Sequence, residues 1–137
     1  MTGVDPVRKS TVEDVLGPLG AAVMRVVWEQ GEATVGSVAT TLAEEHHNTS
    51  AYTTIMTIMG RLHDRGLLAR EKHGRQFVYR AVADEDALIE RLSEEALDQL
   101  IARFGASAYR QFAVRLTDLD PALRQRLLGL AAGGDGE

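Results

Sequence analysis

Between Tyr52 and Arg80 the apolar residues switch from helical spacing to strict alternation with almost no chain in between, and few folds accommodate that switch. In AYTTIMTIMGRLHDRG, Ile55, Ile58, Met59 and Leu62 recur at i, i+3, i+4 and i+7, the spacing that lines one face of an α-helix starting near Ser50. Tyr52, Thr53, Met56, Thr57 and Gly60 fall on the opposite side. Gly66 suits the residue just past a helix C-terminus, with Arg65 in the last turn. The following LLAREKHGRQFVYRAV alternates instead: Leu68, Arg70 and Lys72, then Gln76, Val78 and Arg80 against Phe77, Tyr79 and Ala81, with His73-Gly74 as the turn of a β-hairpin. A lone hairpin is marginal in water, so it must pack on helices.

Those helices lie upstream. LGAAVMRVVWEQG puts Leu19, Val23, Met24, Val26 and Val27 in one stripe, with Trp28 as a further core residue and Gly31 as the stop. Thr34 suits the N-cap of a second helix carrying Val35, Val38, Ala39 and Leu42 as far as Glu45, and His46–Thr49 reads as a polar connector. Three short helices followed by a hairpin is the element order of a winged helix. From Asp84 a long helix carries Leu88, Ile89, Leu92, Leu97, Leu100, Ile101 and Phe104 up to Gly105. Ser107 suits the cap of another, with Tyr109, Phe112 and Leu116, and Asp120-Pro121 starts a third, with Leu123 and Leu127. No second core is visible for these stripes, which predicts that they meet a copy of themselves. The expected fold class is α+β, mainly α. A flexible arm (1–14) precedes a winged helix-turn-helix DNA-binding domain (15–83), a helical dimerisation region (84–130) and a disordered tail (131–137).

Composition narrows the function. With 45% apolar and 26% charged residues the chain is an ordinary soluble globular protein. No apolar run is long enough for a membrane span, and the N-terminus carries no secretory signal. The absence of cysteine excludes disulfides, thiolate metal sites and a cysteine nucleophile, and fits a reducing cytoplasm. No glycine-rich phosphate loop, serine-nucleophile motif or paired catalytic carboxylates occur, so no enzyme is expected. His46, His47, His63 and His73 lack the spacing of a zinc or copper site, and neither metal nor cofactor is expected. The net charge of −5 conceals an asymmetry. Residues 49–80 hold six arginines and lysines against two acids, whereas residues 84–137 hold six arginines against eleven acids. A basic middle and an acidic end suit a chain that touches phosphate with one half only.

The candidate reading surface is the helix around Tyr52–Arg65. Threonine is a poor helix former, so Thr53, Thr54 and Thr57 carry a local cost that a function would explain. Their hydroxyls suit phosphates or base edges and their methyls suit the thymine methyl, with Met56 on the same side. Tyr52 suits a phosphate or sugar, and Arg61, Arg65, Lys72 and Arg75 would flank the groove, the last two from the hairpin. Arg70 and Arg80 read equally as solvation of the hairpin. The same elements also serve in protein-interaction modules that bind no specific DNA.

The runs LGPLGAAVMRVVWEQGEATVGSVATTLAEE and AYTTIMTIMGRLHDRGLLAREKHGRQFVYRAV resemble the BlaI/MecI penicillinase-repressor family of winged-helix regulators. The matching pieces are the L-G-x-L…V-M-x-x-x-W first helix, T-V-x-x-V, Y-T-T-I-M-T-I-M-x-R-L, G-L-L and F-x-Y, over residues 15–83. The resemblance implies a homodimer on a palindromic operator, repressing genes for antibiotic resistance or for stress and metal handling. It also implies release when a membrane sensor triggers proteolysis of the C-terminal region. Two departures stand out. The Asn-Phe bond cut in the resistance repressors is absent, since the only asparagine is Asn48, and the comparable stretch reads YRQFAVRLTD. The C-terminal cysteine pairs of the copper-responsive relatives are absent too.

Overall fold

The computed structural model describes residues 7–133. Helix α1 spans Val12–Gln30, beginning well before the Leu19 from which the apolar stripe is legible. Thr11 caps it, its N–H donating to the Asp14 carboxylate at 2.8 Å, and Val12 is fully buried. The chain then breaks at Gly17, whose φ of 81° and ψ of 172° lie in a region that only glycine visits without strain. Pro18 restarts the helix, where its missing N–H costs nothing. A single turn followed by a break is too short to show a period, which is why the sequence suggests an arm over 1–14. Residues 12–14 of that stretch are helical, and residues 1–6 lie outside the described residues.

Helix α2 (Val35–Glu45) starts as its sequence predicts. Ser37 N–H donates to the Thr34 hydroxyl and Thr34 N–H to the Ser37 hydroxyl, both at 3.0 Å. Helix α3 (Tyr52–Asp64) buries Ile55, Met59 and Leu62 and half-buries Ile58. Strands β1 (Leu68–His73) and β2 (Gln76–Ala81) pair antiparallel from Leu68↔Ala81 to His73↔Gln76. The two-residue turn is therefore Gly74-Arg75, one residue later than the alternation suggests. One further backbone bridge joins Ala33, in the connection between α1 and α2, to Tyr79 of β2.

These elements close over a single core containing Val23, Met24, Val26, Val27, Val38, Leu42, Ile55, Met59, Leu67, Leu68 and Tyr79. Trp28 packs against it with the indole N–H donating to the Ala83 carbonyl at 2.9 Å. Helix α4 (Glu85–Phe104) begins in the same core: Leu88 and Leu92 are 2% and 7% exposed. The apolar stripe of α4 predicts both as dimer contacts. They are instead core residues of one chain, because a side chain with so little accessible surface has little left for a partner. The cap of α4 is the expected one, Asp84 accepting from Ala87 N–H at 2.9 Å. Glu85 accepts from Val12 N–H at 2.8 Å and lies 3.5 Å from Arg25.

Residues 11–92 form one compact unit, and residues 7–10 and 93–133 cluster in a second. The second contains the rest of α4, α5 (Ala106–Asp118) and α6 (Pro121–Gly133). Gly105, with φ of 56°, stands at the N-cap of α5, so Ser107 lies inside its first turn and is not the cap. Asp120 caps α6, accepting from Ala122 and Leu123 N–H groups at 2.8 and 3.1 Å. Of the tail expected at 131–137, residues 131–133 close α6 and residues 134–137 lie outside the described residues.

Candidate nucleic-acid interface

Helix α3 is held from one side only. With Ile55, Met59 and Leu62 in the core, the helical period turns Tyr52, Thr53, Met56 and Thr57 outward. All four are exposed, Tyr52 at 54% and Met56 at 46%, and Thr54 and Arg61 are exposed beside them. No side chain caps the start of α3, since its N-cap residue is Ala51; Ser50 before it donates through both its N–H and its hydroxyl to Asn48 Oδ1, at 2.9 and 2.6 Å. The start of α2, by contrast, is closed by the Thr34–Ser37 exchange.

The other end of α3 is tightly fixed. Gly66 takes φ of 79°, and its N–H reaches the His63 carbonyl while Leu67 N–H reaches the Leu62 carbonyl, both at 2.9 Å. These are the paired bonds of a Schellman ending, and buried Leu67 beside Leu62 supplies its apolar contact. Arg91 of α4 completes the terminus, donating to the Gly66 carbonyl at 2.9 Å and to the Arg65 carbonyl at 3.3 Å. Sequence reasoning did not find Arg91, because 25 residues separate it from Gly66.

The cations sort into two kinds. Arg61, Arg65, Lys72 and Arg75 are exposed on α3, at its end and on the hairpin. Arg80 is exposed as well. Arg70 is half-buried: its guanidinium lies 4.1 Å from the Phe77 ring centroid and donates to the Tyr79 hydroxyl at 3.3 Å, so it braces the hairpin. Among the histidines, His63 lies 3.3 Å from Asp64 and His73 lies 3.7 Å from Glu71. Among the described residues no three His, Asp or Glu side chains converge as a metal would require. None of the described helices is long and apolar enough to cross a membrane.

A second surface is apolar. Leu97, Leu100, Phe104, Tyr109, Phe112, Leu128 and Leu130 are each at least half exposed, and neither α5 nor α6 buries a residue. Ile101, Leu116, Leu123 and Leu127 are half-buried among them. Open grooves result among the described residues. One, of about 440 Å³, is lined by Leu97, Leu100, Phe104 and Phe112, and another, of about 860 Å³, by Leu116, Leu119, Leu123 and Leu127 among others.

A profile described as penicillinase repressor matches residues 16–130 of the chain. Among solved structures the chain is similar to the DNA-binding domain of the repressor BlaI, at 27% identity over 61% of this chain and 89% of that one, with a TM-score of 0.43. It is similar to the CopR repressor at 38% identity over 46% of this chain and 88% of that one, with a TM-score of 0.39. It is also similar to BpsR of Bordetella bronchiseptica at 20% identity over 85% of this chain and 73% of that one, with a TM-score of 0.42. No curated protein sequence matches.

Proposed function

The chain belongs to the penicillinase repressor family of DNA-binding transcriptional repressors, and from that footing we propose that it binds a palindromic operator duplex as a homodimer through α3 and the hairpin. The observation that carries this reading is the two-sidedness of α3: one face is sealed in the core, and the other presents Tyr52, Thr53, Met56 and Thr57 to solvent. Thr53, Thr54 and Thr57 meet base edges with hydroxyl and methyl groups, Met56 adds apolar contact, and Tyr52 holds a phosphate or sugar. Arg61, Arg65, Lys72 and Arg75 neutralise flanking phosphates, which fixes register and supplies most of the salt-sensitive affinity.

Dimerisation uses the apolar residues of the C-terminal helices, the exposed Leu97, Leu100, Phe104, Tyr109 and Phe112 with the half-buried Ile101, Leu116, Leu123 and Leu127 between them. Exposed patches of this kind on a soluble chain mark an interaction surface. Two copies of α3 then enter successive major grooves roughly 34 Å apart, and the second half-site adds avidity without new contacts. Repression is steric, in the cytoplasm, at genes for antibiotic resistance or for stress and metal handling. An inducing signal that separates the C-terminal helices, such as a membrane sensor with its protease, releases the DNA.

The test is selection of duplexes from a random-sequence pool by the purified protein, followed by titration of the selected duplex over a range of salt. The expected result is a dimer whose log K falls steeply with log salt. A correctly assembled dimer that binds no duplex in dilute buffer overturns the reading and leaves a protein-interaction module in its place.

A further inference from the structure

We infer that Arg91 is a positioning residue for operator recognition, holding the end of α3 in place without touching DNA; this rests on the function proposed above. Its guanidinium donates to two carbonyls at the C-terminus of α3, Gly66 at 2.9 Å and Arg65 at 3.3 Å. The last carbonyls of a helix have no intrahelical donor and carry the negative end of the helix dipole, so a cationic fork is the best-matched cap for them.

The surroundings of Arg91 and of Gly66 are consistent with this contact. Arg91 stands between Leu88 and Leu92, both buried, so the turn of α4 that carries it is fixed in the core. Position 66 is glycine, and a Cβ there would lie 2.6 Å from the Arg91 Nη2, so the guanidinium occupies the space that a side chain would fill. The φ of 79° at Gly66 independently disfavours any other residue. The Schellman bonds end α3 through the Gly66 and Leu67 amides, and Arg91 takes up the next two carbonyls of the chain, the C-cap Arg65 and the Gly66 that follows it.

The consequence falls on selectivity. Non-specific binding needs only cations near phosphates, whereas base readout needs Thr53 and Thr57 held in one register, which a frayed α3 does not provide. Losing a hydrogen-bonded charge of this kind corresponds to a change of about tenfold.

Arg91→Ala and Arg91→Lys are to be compared with the wild-type protein on a duplex that the wild type selects from a random pool and on sonicated genomic DNA, each over a salt series. Arg91→Ala is expected to bind the selected duplex about tenfold more weakly, to bind genomic DNA as before, and to keep the wild-type salt slope. Arg91→Lys, which keeps the charge but not the fork, is expected to lose selectivity in the same direction and decides the question if the alanine variant does not fold. Equal losses on both DNAs with a salt slope lower by about 1 per subunit would make Arg91 a phosphate contact and overturn the inference. Selectivity unchanged in both variants overturns it as well. Wild-type protein that selects no duplex counts against the DNA-binding reading, and is thereby separable from these outcomes.

Discussion

Ala33 and Tyr79 exchange both of their backbone hydrogen bonds, Ala33 N–H to the Tyr79 carbonyl at 2.9 Å and Tyr79 N–H to the Ala33 carbonyl at 2.7 Å. This one rung makes the connection between α1 and α2 a third partner of the hairpin. Tyr79, 2% exposed, is locked from its backbone by Ala33 and at its hydroxyl by Arg70. Ala33→Pro removes the donor and leaves a buried carbonyl unpaired, a loss of about 1–3 kcal/mol. Urea unfolding should show the lower midpoint, and hydrogen exchange should show faster loss of protection in β2 than in α2.

On α3, Thr53→Ala or Thr57→Ala should cost about 1–3 kcal/mol on a selected duplex and relax base preference at one position per half-site. Binding-site selection repeated with each variant checks this. Replacement of Thr53, Thr54 and Thr57 together with an unchanged footprint would show that another surface reads the bases.

Arg75, exposed at the tip of the hairpin, should behave differently. Arg75→Ala is expected to weaken all duplexes alike and to reduce the slope of log K against log salt by about 0.9 for each phosphate that the arginine had neutralised. A sequence-dependent loss would place Arg75 on a base.

Leu88 and Leu100 lie on the same helix yet should report opposite things. Leu88→Ala empties a buried site and should cost about 2–5 kcal/mol of stability. Leu100, 50% exposed, should tolerate aspartate within about 0.5 kcal/mol for residues 11–92, while sedimentation shows monomers and operator affinity drops. A Leu100→Asp protein that remains dimeric would remove this face from the proposed interface.

The Arg25 guanidinium donates to both Glu13 carboxylate oxygens, at 2.6 and 3.2 Å, and holds that carboxyl below the usual carboxylate range. A group depressed in the folded chain contributes stability above its unfolded value of about 4.3, and the contribution disappears as pH falls through the folded value. Glu13→Gln should therefore lower Tm slightly at neutral pH, with the gap to wild type closing in acid. A gap that widens in acid would contradict the pairing.

Much of the winged-helix unit is legible in the sequence because its signals are local. Thr34 as an N-cap, the period of Ile55, Met59 and Leu62, and Gly66 each act within about two turns, and the α2 and α3 assignments follow from them. What escapes sequence reading depends on distance or on brevity. The turn at Val12–Leu16 is too short to show a period before Gly17 breaks it, and the hairpin turn falls one residue late because both His73-Gly74 and Gly74-Arg75 suit a tight turn.

By itself the sequence determined the helix-then-hairpin order, the outward threonines of α3 and the basic middle, since periodicity, capping and charge are properties of neighbouring residues. Only the tertiary structure decided that Leu88 and Leu92 belong to the core while Leu97 and Leu100 do not. An apolar stripe along one helix looks the same whether the chain covers it or a partner does. It alone also brought Arg91 to Gly66, Glu85 to Val12 and Ala33 to Tyr79. Each of these pairs joins groups far apart in the chain, and their meeting follows from how the helices pack and from no pattern that either partner carries locally.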